Sequence, residues 1–238
     1  MDRSHFGQHS SSQFNEEMES IRSKLMEMGG LVEKQVIDAS QALLQADSQL
    51  AEVVLEVEDR VDDLEKQIDE ECARVLALRQ PAASDLRMII AVTKCVSDLE
   101  RIGDESAKIA KMAIKLTEEG ESPRGYVEVR HISNHVRVML RDALDAFARF
   151  DADKAVEVAV EDNEVDSEYR SAMRSLVTFM MEDPRSISRI LNIIWSLRAL
   201  ERIGDHARNI SEQIIFLVKG KDVRHISADK IHEHVNKK

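Results

Sequence analysis

This chain of 238 residues is short of glycine and proline: eight Gly and three Pro make about 5% of it, where average usage gives ~12%. Few breakers mean few turns. Aromatics are scarce too, with six Phe, two Tyr and one Trp. Strand-rich folds need a turn every ~8 to 12 residues and many aromatic and β-branched side chains, so an all-β or α/β architecture is excluded. No apolar run reaches the ~18 to 20 residues of a membrane span. The nearest, Ile190 to Leu200, is interrupted by Asn192, Ser196 and Arg198. No apolar region follows a basic start, so no signal peptide is expected. The two cysteines, Cys72 and Cys95, form neither a CxxC nor a disulfide framework. A soluble protein of the reducing cytoplasm is the expectation, with both thiols inert. Positive charge is also in deficit: 33 Lys and Arg against 45 Asp and Glu leave a net charge of −12, the wrong sign for direct nucleic-acid binding. Nor is there a nucleophile with a paired base, a glycine-rich phosphate loop or a Walker-type lysine, so no enzymatic activity is expected.

What is present is helical periodicity. With 43% hydrophobic and 33% charged residues, the chain can build both a core and a solvated face. Asp47-Ser48 caps a second helix, Gln80-Pro81 breaks it, and Ser84 caps a third. Gly120 ends that helix and Ser122-Pro123 starts the next. Asp151 repeats the Asp47 break, Asp183-Pro184 is another cap followed by proline, and Gly220 closes the last helix. Six long helices are predicted at 15–46, 48–79, 84–119, 124–150, 153–182 and 185–219. Short connections force antiparallel neighbours, hence a helical bundle. Residues 1–14 and 221–238 are polar, lack periodicity and read as a flexible arm and a tail.

The chain also repeats itself. Leu99-Glu100-Arg101-Ile102-Gly103-Asp104 recurs unchanged as Leu200-Glu201-Arg202-Ile203-Gly204-Asp205. In the helix before each, Asp47, Ala51, Val61 and Asp62 match Asp151, Ala155, Val165 and Asp166. The all-α fold is therefore two tandem antiparallel three-helix bundles, at 15–120 and 124–220.

Each repeat carries acid pairs four residues apart, which a helix places on one face: Glu58 with Asp62, Glu100 with Asp104, Asp162 with Asp166, and Glu201 with Asp205. Like charges at this spacing destabilise a helix by ~0.2 to 0.5 kcal/mol per pair. A solvated charged face accounts for any single pair; repetition of all four asks for a compensating cation. Gly103 and Gly204 interrupt helix interiors on the same face, where a missing side chain lets a helix or an ion approach. Carboxylate-only ligation points to oxygen-loving ions or to an iron or manganese cluster.

These features resemble the PhoU family of phosphate-specific transport accessory proteins. The resemblance covers essentially the whole chain, including Met28-Gly29-Gly30-Leu31-Val32-Glu33 and Gln80-Pro81-Ala82-Ala83-Ser84-Asp85-Leu86-Arg87. It implies a pair of three-helix bundles whose acid motifs hold multinuclear metal clusters, with iron, manganese, zinc or magnesium as the candidate ions. By resemblance the ligands fall on the eight acids above. It also implies a cytoplasmic negative regulator of the phosphate-starvation response, acting between the ATP-binding subunit of the phosphate ABC transporter and a sensor histidine kinase. Asp98 against Ala199, Asp59 against Asn163 and Glu105 against His206 break the repeat symmetry, which predicts clusters that differ in nuclearity or occupancy. A homodimer is expected, because long bundles bury spare apolar stripe against a second copy.

The rival reading is a ferritin-like di-metal enzyme or a metal-binding scaffold. The enzyme needs two Glu-x-x-His elements; only Glu128-Val129-Arg130-His131 has that spacing, and an accidental match explains it. His206, one residue after Asp205, points ~100° away from it on the helix and reads as solvated. The histidines of the tail, His225, His232 and His234, read as part of a frayed end, and Met18, Met26 and Met28 as core filling.

Overall fold

The computed structural model describes residues 12–118, 126–224 and 226–236. Among them the regular structure is helical: α1 (Ser12–Gln45), α2 (Ser48–Glu56), α3 (Glu58–Arg79), α4 (Ala83–Glu118), α5 (Tyr126–Arg149), α6 (Ala152–Glu182), α7 (Ile187–Lys219) and α8 (Ala228–Asn236). A 3-10 turn at Pro184–Ser186 joins α6 to α7. The expected breaks at Gly120 and at Ser122-Pro123 lie outside the described residues, as does His225.

The matched turns are built alike. The Asp47 carboxylate accepts from the Leu50 N–H at 3.0 Å, and the Asp151 carboxylate accepts from the Asp153 and Lys154 N–H groups at 3.1 and 3.0 Å. Before each cap a residue turns left-handed, Ala46 at φ 53° and Phe150 at φ 55°. The next N–H then reaches back to close the preceding helix, Asp47 to the Ala42 carbonyl and Asp151 to that of Ala146. Gly220 at φ 69° closes α7 onto the Phe216 carbonyl.

Three elements differ from the sequence reading. The second long helix breaks at Val57, where α2 gives way to α3 with no proline or glycine at the joint. α1 starts at Ser12 because Phe14 is buried and Glu17 is clamped to Arg79 at the end of α3, at 3.0 Å. The stretch after Gly220 holds α8, which packs on α6 and buries Ile231 and Val235, with Val223 buried just before it. Three apolar residues are enough to pin this otherwise charged segment.

Within each unit the helices pack together, α1 with α2, α3 and α4, and α5 with α6 and α7, and one continuous apolar core runs through both. The most extensive helix pair joins the units: α4 lies along α7. Lys94 stands over the Phe216 ring, Asp98 meets His206 and Glu105 meets Arg202, so numbering rises along one helix as it falls along the other. α1 crosses α5 in the same antiparallel sense, Arg22 donating to the Ala148 carbonyl at 2.6 Å. The repeats are thus related by an approximate two-fold axis, near Gly103 and Gly204. Both glycines face inward: a Cβ on Gly103 would lie 3.2 Å from Gln35 Oε1, and one on Gly204 3.4 Å from Asp162 Oδ1. They set how closely α4 and α7 approach their own partners.

Close packing makes two adjacent glycines unequal. A Cβ on Gly29 would sit 2.6 Å from Leu144 Cδ2, across the α1–α5 contact, whereas one on Gly30 meets nothing within 4 Å. Alanine gains ~1 kcal/mol of helix propensity at either site, but overpacking costs ~1 to 3 kcal/mol. Urea unfolding is expected to rank Gly30→Ala above the wild type and above Gly29→Ala, by about 1 to 3 kcal/mol for the latter pair. Equal midpoints for the two variants would refute the close approach.

Candidate functional site

The acid pairs occupy one long face of each unit, α3 with α4 and α6 with α7. In the first unit Glu100 is half-buried, and its carboxyl is pushed above the ordinary range by burial, then by the charges of Asp104, Glu65 and Asp62. Glu65 is raised in turn by burial, Asp69 and Asp62. The group that interacts is therefore Asp62, Glu65, Asp69, Glu100 and Asp104. Glu58 does not enter the set of charges that perturbs Glu100. Glu65 and Asp69 were missed because the search was for acids matched in both repeats, and their counterparts are Tyr169 and Met173. Their spacing from Asp62 along one helical face was the available signal.

The second unit brings Asp162, Asp166, Glu201 and Asp205 together. Asp162 is buried, and burial followed by the Asp205 charge lifts its carboxyl to about 6. Burial and Asp205 likewise lift Glu201 to about 7. Asp205, whose tip reaches solvent, is raised by partial desolvation and by Asp166. Arginines answer these acids: Arg198 pairs with Glu201, Arg208 with Asp162 at 3.4 Å, and Arg170 with Asp166 at 3.3 Å. The first repeat has Ser97, Ala107 and Lys66 at the matching places, so its acid face lacks those guanidinium partners.

The donor chemistry fits a hard cation. Glu201 Oε2 is buried with no hydrogen-bond partner, which leaves an anionic oxygen available to an ion. Among the described residues, no three His, Cys, Asp or Glu side chains stand in an arrangement that would hold a metal ion as they are placed. Ligation would require the carboxylates of the second unit to turn from arginine toward the ion.

Three of the symmetry-breaking residues meet where α4 packs on α7. His206 is buried, not solvated, and its Nδ1 lies 2.8 Å from Asp98 Oδ1, which also accepts from Asn209 at 3.1 Å. Glu105, 4% exposed, is held by Arg202 Nε at 2.7 Å and Lys108 Nζ at 3.0 Å. Asp98, Glu105 and His206 thus knit α4 to α7. Each acid has its partner in the other repeat, or on its own helix in the case of Lys108.

On α5, His131 is an exposed residue 3.8 Å from Glu168, away from the bundle interior that a ferritin-like site requires. The more constrained histidine is His135, which the sequence reading passed over. It is clamped between Glu161 at 3.0 Å and Glu168 at 3.2 Å. Both cysteines are buried, and burial pushes the Cys72 thiol up to about 12, which leaves it unreactive at neutral pH.

With this geometry in place, the chain can be set beside known proteins. The PhoU domain family model matches residues 25–113 and 129–214, one match in each repeat. The phosphate-specific transport system accessory protein PhoU homolog of Pseudomonas aeruginosa is 64% identical over 227 residues, covering 95% of this chain and 94% of that protein. The accessory protein PhoU of Escherichia coli is 45% identical over 231 residues, covering 97% and 95%. A crystal structure of PhoU from Pseudomonas aeruginosa superposes with a TM-score of 0.86 at 65% identity, over 87% of this chain and all of that one. The phosphate transport system regulatory protein PhoU of Streptococcus pneumoniae gives 0.81 at 30% identity, over 88% and 99%.

The raised Asp162 carboxyl has a stability consequence with a definite sign. A carboxyl with a folded pKa of about 6, above its ordinary value of 3.8, favours the folded state fully below pH ~4 and loses that contribution as pH rises through 6. Asp162→Asn is therefore expected to stabilise the metal-free protein at pH 8 by on the order of 2 kcal/mol, and to make little difference at pH 4. Urea midpoints of both proteins across that range test it. A variant less stable than the wild type at pH 8 would show that the Arg208 pair outweighs the burial.

Proposed function

This chain belongs to the PhoU family, and from that membership we propose that it is a regulatory accessory protein of phosphate transport, acting by contact to restrain the phosphate-starvation response. The observation that carries this reading is the agreement of sequence and fold along both repeats with relatives named for that role. In this reading the protein works in the cytoplasm, between the ATP-binding subunit of the phosphate ABC transporter and a phosphate-sensing histidine kinase. It keeps the kinase from activating its response regulator while phosphate is plentiful. No helix among the described residues is long and apolar enough to cross a membrane, so any approach to the membrane is through those partners. A regulator of this kind biases a partner between states through differential affinity and needs no catalytic group.

Metal binding is the second part of the proposal. Glu58, Asp62, Glu100, Asp104, Asp162, Asp166, Glu201 and Asp205 are the candidate ligands, and Glu65 joins them in the first unit. Support comes from the orphaned Glu201 oxygen and from carboxyls that raise one another's pKa, a repulsion that iron, manganese, zinc or magnesium would relieve. The less arginine-bound first unit loads first. Replacing Glu100 and Asp104 by Ala is expected to lower the metal content of the purified protein more than replacing Glu201 and Asp205. Undiminished metal in the quadruple variant, by elemental analysis, would overturn the site.

A homodimer is the third part. Ile187, Leu191 and Trp195 form an exposed stripe on α7, Trp195 being 63% exposed, beside exposed Val177 and Met181 of α6. A two-fold axis through the stripe would bury these apolar side chains against their copies, which makes a second copy the fitting occupant. Light scattering is expected to give twice the 27.0 kDa chain mass, and Trp195→Glu the chain mass alone.

The regulatory reading is tested in cells. Deleting the gene is expected to switch a phosphate-regulon reporter on in phosphate-rich medium, and deleting the sensor kinase as well should switch it off again. Normal repression without this protein, or derepression without the kinase, would overturn it.

A further inference from the structure

Beside the second-unit acids, the outer side of α7 borders a cavity of about 430 Å³, within the size range of ligand pockets. Its walls carry four arginines, Arg198, Arg202, Arg208 and Arg224, against two acids, Asp205 and Glu212. In a chain of net charge −12, this concentration of guanidinium groups in one concavity calls for a ligand of opposite sign.

The arginines are held, not spent. Arg202 is anchored through Nε to Glu105, Arg208 through Nε and Nη1 to Glu212 and Asp162, Arg198 through Nη1 to Glu201, and Arg224 through Nε and Nη2 to Asp222. Arginine carries five N–H donors, so each keeps at least one further donor with no partner among the described residues. The layering favours an outward positive face. The side chains of Glu105, Asp162, Glu201 and Glu212 are 5, 6, 10 and 6% exposed, whereas those of Arg198, Arg202, Arg208 and Arg224 are 46, 41, 28 and 47% exposed. These four carboxylates lie beneath Arg198, Arg202 and Arg208 and fix their guanidinium planes, while Asp222, the partner of Arg224, and Asp205 on the cavity wall are themselves exposed. Planar forks held in this way suit the tetrahedral oxygens of a phosphoryl group, where lysine would offer only a point charge.

We propose that this cavity binds a phosphoryl dianion, inorganic phosphate or a phosphate ester, through Arg198, Arg202, Arg208 and Arg224. The four arginines line the cavity with N–H donors beyond those given to Glu105, Asp162, Glu201, Glu212 and Asp222, and these are the donors a phosphoryl anion would engage. Occupancy would be felt across the molecule, because Arg202 and His206 on the cavity wall are also the groups that hold Glu105 and Asp98 of α4. An anion that draws on Arg202 competes with a contact between the two repeats.

The inference adds a ligand to the regulatory reading and is tested apart from it, by calorimetric titration of the full chain with inorganic phosphate, with AMP and with chloride at matched ionic strength. Saturable phosphate binding below ~10 mM is expected, weakened at least ~10-fold in Arg198→Gln/Arg224→Gln. Arg224→Gln alone, which removes the ion pair with exposed Asp222 and leaves the pairs of the other three arginines in place, serves if the double variant does not fold, and should lose several-fold. Tighter binding of AMP would identify an ester as the preferred source, and tighter binding of phosphate the free anion. No saturable binding of either, an equal response to chloride, or undiminished binding in the variants would overturn the site. None of these results bears on the regulon phenotype, which is read in cells without reference to the cavity.

Discussion

The antiparallel packing of α4 on α7 is the contact on which the rest of the molecule depends. It joins the two units across one continuous apolar core, and among the described residues the α1–α5 crossing is the other broad contact between them. Apolar side chains such as Leu99, Ile102, Leu200 and Ile203 are fully buried beside it, each contributing about 1.5 to 3 kcal/mol. Asp98, His206, Glu105 and Arg202 set its register, since a slip along the helices would leave buried charges unpaired, a heavier loss than any of these pairs gains. Asp98, Glu105 and His206, which break the repeat symmetry, are among the residues that make one unit complementary to the other.

Electrostatics divides the units further. Both carry acids four residues apart on facing helices, but in the second Arg170, Arg198 and Arg208 supply positive charge from within the protein. In the first the acids face one another with Glu65 and Asp69 added. Two acid faces at matching places in the repeats thus carry different charge balances.

Much of this was legible in the sequence. Asp47 and Asp151 announced matched helix starts, and the repeated six-residue segment located α4 and α7 before any coordinates were considered. What escaped had identifiable physical reasons. Leu55-Glu56-Val57-Glu58 contains no breaker, so the joint between α2 and α3 is a product of packing. α8 depends on Val223, Ile231 and Val235, too few apolar residues among charges to register as a pattern. His206 was judged by its angle from Asp205 alone; which helix lay on that side was a tertiary fact. The acid pairs stand out in the sequence because they repeat, and Glu65 does not, because its counterpart is Tyr169. The arginines that answer the second cluster come from separate turns of α6 and α7, and local spacing gave no hint of their common destination.

The seam also orders the folding of the chain. Contacts within a unit, the broad α1–α4 pair included, join residues closer in sequence than the seam does, where Lys94 meets Phe216 and Asp98 meets His206, more than a hundred positions apart. Loop-closure entropy delays such distant contacts. Each three-helix unit therefore condenses before the two find each other, and until they do, the faces of α4 and α7 that bear Asp98, Glu105, Arg202 and His206 stand open to water. Synthesis proceeds from the N-terminus, so the first unit waits with its half of the seam exposed until α7 has been made.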